Sequence, residues 1–398
     1  MNRKPWIVAV LVFGVFVAAV VPVARRQAAP RVALPVPLSS LNPSWPGRPN
    51  IERDAILAAG PAAVEPILTA LNTHSWRDWK LWIRLRPMVP SSLHPYLPAP
   101  GNRIAERDAA IWMLGELGPA ASNAIPALRR IAADRSAADK RAAAIMALAR
   151  IDPGRSSALS NAISLLSSTQ QTERFYAAQR FGDLTNHPGL DPAVLLPSLS
   201  DGDGEVRANM TLSIAEFGPR AHAAVPQLKQ LLIDPYRHIS AGAAYALLRI
   251  DPAQAETATQ AMVAALQRNA DLSGFVAPAF FSAAGPLARS AQSYLETLLR
   301  GGRGPMSPSQ AALALWEVTG IAEPRVLQQL EKLDEISPEI LAALAAIGPA
   351  ASNAIPRLRE IASTPHLKEA ATATIRRIQK QNAESTPVAV PQPATPPQ

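Results

Sequence analysis

The sequence predicts an all-α protein, an α-solenoid of about nine helical pairs with an N-terminal transmembrane helix. Three observations predict it. A Gly-Pro phrase recurs through the middle of the chain at a near-constant spacing. The composition is helical: 48% of residues are hydrophobic, mostly Ala and Leu, only 5% are aromatic, and 39 prolines stand against 20 glycines. The third is an apolar run, Trp6 to Val23, next to the amino terminus.

Composition also excludes several classes. Cysteine is absent, which removes a disulfide framework, a thiolate zinc site, a Cys nucleophile and an Fe–S cluster. Charged residues are 18% of the chain, too few for a disordered polyelectrolyte. The net charge of +8 is concentrated: residues 1–50 hold six bases and no acid, and residues 51–398 hold bases and acids in almost equal number. The folded part is therefore nearly neutral, and net charge gives no support to a nucleic-acid face.

Residues 1–26 read as a membrane anchor. The run from Trp6 to Val23, interrupted only by Pro22, is just long enough to cross a hydrocarbon core of about 30 Å. A cleaved signal peptide is the alternative, but Val17 and Ala19 meet its small-residue rule only weakly. The length of the run and Arg25-Arg26 behind it favour the uncleaved anchor, single-pass, with the bulk of the chain on the exported side. Cleavage would instead leave a secreted or periplasmic protein. Residues 27–50, rich in proline, read as an extended stalk. Residues 381–398 lack an apolar face and read as a disordered Pro-rich tail.

The repeat occupies residues 51–380. Leu117-Gly118-Pro119-Ala-Ala-Ser-Asn-Ala-Ile-Pro126 returns as Ile347-Gly348-Pro349-Ala-Ala-Ser-Asn-Ala-Ile-Pro356, with a looser copy at Phe217-Gly218-Pro219. Counting degenerate copies, the turns fall at 60, 118, 152, 185, 218, 251, 285, 320 and 348. After 118 the steps between them are almost equal, and only the last is shorter. A fixed period of this length marks stacked supersecondary units. In each unit Gly ends one helix in the left-handed conformation and Pro opens the next. An Asp-, Ser- and Gly-rich turn leads into a second, Ala-rich helix. Nine pairs are expected, from 61–71 with 104–117 to 349–363 with 367–380, and residues 51–59 form an N-terminal half-repeat.

The Gly-Pro-Ala-Ala-x-x-Ala-Ile-Pro-x-Leu phrase, the Asp-containing turn and Val206-Arg207 opening a second helix resemble HEAT repeats of the phycobilisome-lyase-like type. The resemblance covers about residues 51–380. It implies a scaffold that binds a partner protein on the concave face formed by the second helices. A few resembling families are enzymes, so an enzyme or enzyme accessory of the lyase-like type is the alternative. The motif residues themselves are packing, capping and turn positions, which specify a fold and no chemistry.

Two sets of residues stand out. Arg107, Arg141, Arg174 and Arg207 recur once per repeat, and the equivalent later positions are Ser240, Gly274, Ser309 and Ser337. The ladder is expected to bond turn carboxylates and carbonyls of the adjacent repeat. An anion-binding stripe, for phosphate or nucleic acid, is the sharper alternative. The second set is an insert at 72–103, which sets the first two landmarks, 60 and 118, nearly twice as far apart as any later pair. It carries Trp76, Trp79 and Trp82, with Arg84 and Arg86, and has five bases to one acid. Three readings stay open for it: a cap on the apolar end of the repeats, a partner-recognition element, and contact with a membrane surface.

No cofactor or metal is expected. Asp201-Gly-Asp203-Gly-Glu205 lacks the sixth-position Gly and twelfth-position Glu of a calcium loop, with Val206 and Leu212 there instead. His74, His94, His187, His222, His238 and His366 include no i, i+4 pair and no His-Glu step. They read as surface or turn residues. The expected function is thus a non-catalytic, membrane-tethered scaffold with a protein partner.

Overall fold

The computed structural model describes residues 34–38, 41, 51–72, 100–268, 276–301, 305–334, 336–364 and 367–385. Of these, 81% are helical and none lies in a strand, so the chain is all-α. The apolar run Trp6–Val23 and the insert from 73 to 99 lie outside the described residues.

Helices follow one another in pairs. Helix α1 (Ile51–Ala58) precedes α2 (Val64–Asn72) with α3 (Pro100–Glu116), α4 (Ile125–Ala132) with α5 (Ala138–Ile151), and α6 (Ser156–Leu165) with α7 (Gln171–Arg180). A 3-10 stretch, Pro192–Ser200, then accompanies α8 (Gly204–Ala215). Next come α9 (Val225–Leu231) with α10 (Arg237–Ile250), and α11 (Ala255–Arg268) with α12 (Val276–Ala284). The last three pairs are α13 (Gln292–Gly301) with α14 (Pro308–Thr319), α15 (Pro324–Glu331) with α16 (Pro338–Ile347), and α17 (Ile355–Ile361) with α18 (Lys368–Ser385). The chain divides into two compact units, one of residues 1–43 and 52–158, the other of residues 44–51 and 159–398.

Wherever Gly stands in the landmark turns named above, its φ is positive. Gly118 takes φ +55° and Gly348 φ +70°, a left-handed turn that a Cβ would strain. The Asp copies reach the next helix differently: Asp152 and Asp251 keep negative φ, −126° and −140°, and the Asp251 carboxylate accepts the Ala253 amide at 3.2 Å. One departure from expectation follows the Gly. Pro119 does not open an α-helix; it opens a seven-residue 3-10 stretch, Gly118–Ala124, and α4 begins only at Ile125, with Pro126 in its first turn. The stretch kinks at Ala121 (φ −89°, ψ 21°), and Ala221, Ala288 and Ala351 kink within a few degrees of the same values. All four alanines are buried. A larger side chain at that bend would hold the neighbouring helix away.

In the first unit Ile56, Ile67, Ile111, Met113, Leu114 and Leu128 are completely buried. Gly115 lets α3 approach α5: a Cβ there would stand 3.2 Å from the Ala147 Cα. Leu38 and Leu41 are buried in the same core, with Leu34 and Val36 packed against it. This part of the segment expected to be stalk therefore docks on the first repeat, its Leu38 and Leu41 joined by a turn in which Leu41 N donates to Leu38 O at 3.2 Å.

In the second unit Phe181, Phe280 and Phe281 are fully buried, the last two meeting edge to face at 5.4 Å. Helix α8 is buried around nearly its whole circumference, the pattern of a central helix. Its polar residues bond the backbone: Thr211 Oγ1 donates to Ala208 O at 2.7 Å and Ser213 Oγ to Ala178 O at 2.5 Å. Gly242 lets α10 cross α8 closely, since a Cβ there would collide with Thr211 Oγ1.

At the carboxyl end α18 runs to Ser385, past the expected start of the tail at 381. The following Thr386-Pro387 is a step that disfavours helix at its first residue. Among the described residues one stretch, Pro338–Ile361, is long and apolar enough to cross a membrane. It is α16 and α17 with a left-handed break at Gly348 (φ 70°, ψ −130°), and Ile340, Leu344, Leu358 and Ile361 are buried within their own unit.

Candidate functional site

Trp76, Trp79, Trp82, Arg84 and Arg86 lie outside the described residues, as do His74, His94 and His366. The arginine ladder is described. Arg107 lies on α3, and Arg141, Arg174 and Arg207 lie in the opening turns of α5, α7 and α8.

The turn between the helices prepares an acceptor for Arg174 and for Arg207. In the second unit, Asp201 first fixes its own loop by accepting the Asp203 amide at 2.9 Å. Asp203 in turn caps α8, accepting from Glu205 N at 3.0 Å and Val206 N at 3.1 Å. Arg174, one repeat earlier, then donates to the Asp201 carboxylate from Nε at 2.8 Å and Nη2 at 3.2 Å. Its third nitrogen, Nη1, donates to Ser168 O at 2.9 Å. Burial alone would raise the Asp201 pKa. The bonds from Arg174 and the Asp203 amide, with the charges of Arg174 and Arg207, overcome this and hold the carboxyl below its ordinary range. The same hydrogen bond keeps Arg174 above its ordinary value.

Arg207 repeats the pattern one unit on. Its Nη2 donates to Asp234 Oδ2 at 3.1 Å and its Nε to the same oxygen at 3.3 Å. Nη1 donates to Asp201 O at 2.8 Å. The guanidinium also lies 5.5 Å from the Tyr236 ring centroid. In both arginines every guanidinium nitrogen is engaged within the chain, which leaves no open fork for a phosphate.

The two earlier rungs differ. The positions that stand to Arg107 and Arg141 as Asp201 stands to Arg174 are Asp134 and Ser168. Burial lowers the Arg107 pKa against the attraction of Asp108, Asp134 and Asp139. Beside it Lys140 is buried and pairs with Asp108 and, at 3.0 Å, with Asp139.

A second row of charge was not singled out from the sequence, although its spacing was there to read. Just before the turn landmarks stand Glu116, Arg150, Asp183, Glu216 and Arg249. In the first unit Arg150 on α5 bonds Glu116 on α3. In the second, Arg180 reaches Asp183 at 3.7 Å and Arg249 on α10 reaches Glu216 at 3.8 Å. Arg249 also donates to the Tyr245 hydroxyl at 3.0 Å. Burial raises the Glu216 pKa; Arg249 opposes this and Asp183 adds to it.

The remaining candidates resolve simply. Asp201 to Glu205 is the inter-helix turn just described. His187 is buried in the turn after α7, where its Nδ1 accepts the Gly189 amide at 3.2 Å. Burial lowers its pKa. His222 and His238 are exposed. Among the described residues no three His, Asp or Glu side chains gather as metal ligands. No family model matches the chain, and no curated protein matches it.

Proposed function

We propose that the chain is a non-catalytic scaffold, a HEAT-like α-solenoid tethered by its N-terminal apolar segment to a membrane, with its bulk on the exported side, that holds a partner protein. One observation carries the reading. Three arginines of the second unit are answered inside the chain: Arg174 by Asp201, Arg207 by Asp234, Arg249 by Glu216. Such groups join repeat to repeat instead of converging on a reacting centre. The Gly-Pro-Ala-Ala phrase, shared with HEAT repeats of the phycobilisome-lyase-like type, supports the solenoid. The second helices, rich in small residues, supply the concave partner surface, and the insert with Trp76, Trp79, Trp82, Arg84 and Arg86 supplies the aromatic and basic anchors of a hot spot.

The test is affinity purification of the full chain from detergent-solubilised native membranes, beside a Trp76/Trp79/Trp82→Ala variant with unchanged circular dichroism. The expected result is one protein enriched by the wild type and lost by the variant. A partner retained by the variant moves the binding surface to the second helices. Absence of any stoichiometric protein in both samples overturns the scaffold reading.

A further inference from the structure

In the row of charges just before the landmarks, acids are answered by arginines: Glu116 by Arg150 and Glu216 by Arg249. The row ends differently. Glu317, in the last turn of α14, sets its carbonyl beside Gly285 as Arg150 and Arg249 set theirs beside Gly118 and Gly218. The residues before the neighbouring landmarks are Ala283 and Ala346, which offer it no charge. Its Oε2 is buried with no hydrogen-bond partner. It also sits at the negative end of its own helix, where a carboxylate is disfavoured.

The elements packed on α14 offer it little. Helix α12 carries no titratable side chain and contributes only the Ser282 hydroxyl, which donates to the carboxylate. Helix α16 contributes another acid, Glu339. Arg289 in the Gly285–Ala291 stretch, Tyr294, Glu296 and Arg300 on α13, and Arg325 and Glu331 on α15 exert no resolved influence on it. We infer that Glu317 is a proton-operated catch on the α12–α14–α16 stack: neutral, it seats the three helices together, and ionised, it loosens them.

Burial first, then repulsion from Glu339, lift its pKa from 4.5 to about 7, against the Ser282 hydrogen bond. Because the folded value is the higher one, the group's contribution is fully present below 4.5 and is lost as pH rises through about 7. The affected equilibrium should therefore shift roughly 25-fold toward opening between about pH 5.5 and about pH 8. This catch is independent of the partner proposed above.

Hydrogen exchange of the full chain, corrected for intrinsic rates, tests it across that pH range. Wild type is expected to lose protection about 25-fold in residues 276–347 and to keep it in residues 106–151. Glu317→Gln is expected to keep protection in both segments. The same loss in Glu317→Gln as in wild type, or no loss in wild type, overturns the inference. If Glu317→Gln does not fold, Glu317→Leu decides: it carries no charge at any pH and must keep protection across the range, and the same loss as in wild type overturns the inference.

Discussion

Arg174 binds two turns at once, so deleting it leaves Asp201 a largely buried carboxylate with one backbone amide and the charge of Arg207 to answer it. Arg174→Ala is expected to cost about 2 kcal/mol, the usual range for hydrogen bonds to charged groups. The loss should appear as a lower urea midpoint at unchanged slope. Asp201 adds a pH signature of opposite sign to that of Glu317. Its folded pKa is depressed, so its contribution is present above the unfolded value and is lost as pH falls through the folded one. Asp201→Asn should therefore flatten the fall in stability below about pH 4, measured by thermal melting across the acid range. The sequence showed the even spacing of the arginines and the acids of the turns, but not that Arg174 and Arg207 reach forward to the turn of the next pair, since that reach depends on how one pair packs on the next.

The recurring turn decides what a helix pair tolerates. Gly118→Ala places a Cβ at φ +55° and is expected to cost about 1–2 kcal/mol, while Asp251→Gly, at an extended backbone, should cost less. Chemical denaturation of the two variants side by side checks the contrast. At this scale most of the architecture was legible. Gly-Pro punctuation and its nearly constant period placed the helical pairs, because those residues constrain the backbone directly. The 3-10 stretch was not legible, since Gly-Pro-Ala-Ala reads as an ordinary helix start and the kink at Ala121 comes from packing. The docking of Leu38 and Leu41 was hidden for a related reason: a Pro-rich segment carries no periodicity, and only the neighbouring core shows which leucines it buries.

The two compact units are expected to unfold in separate steps. Phe280→Ala removes a fully buried ring from the second unit and should cost it about 3–5 kcal/mol. Native-state hydrogen exchange should then show lowered protection in residues 276–347 and none lost in residues 106–151, whereas Ile111→Ala should give the converse. Within the second unit the arginine rungs are unevenly placed. Arg174 and Arg207 tie α7 and α8 to the turns ahead of them, but the equivalent later positions are Ser240, Gly274, Ser309 and Ser337. A pair so tied resists being tilted from its neighbour along that edge, and a pair without the rung yields to the same tilt. In the solenoid proposed above, such a unit acts as a spring of graded stiffness: under tension applied through its two ends, the pairs beyond α10 are expected to extend and peel first, and the pairs around α8 to keep their shape under load.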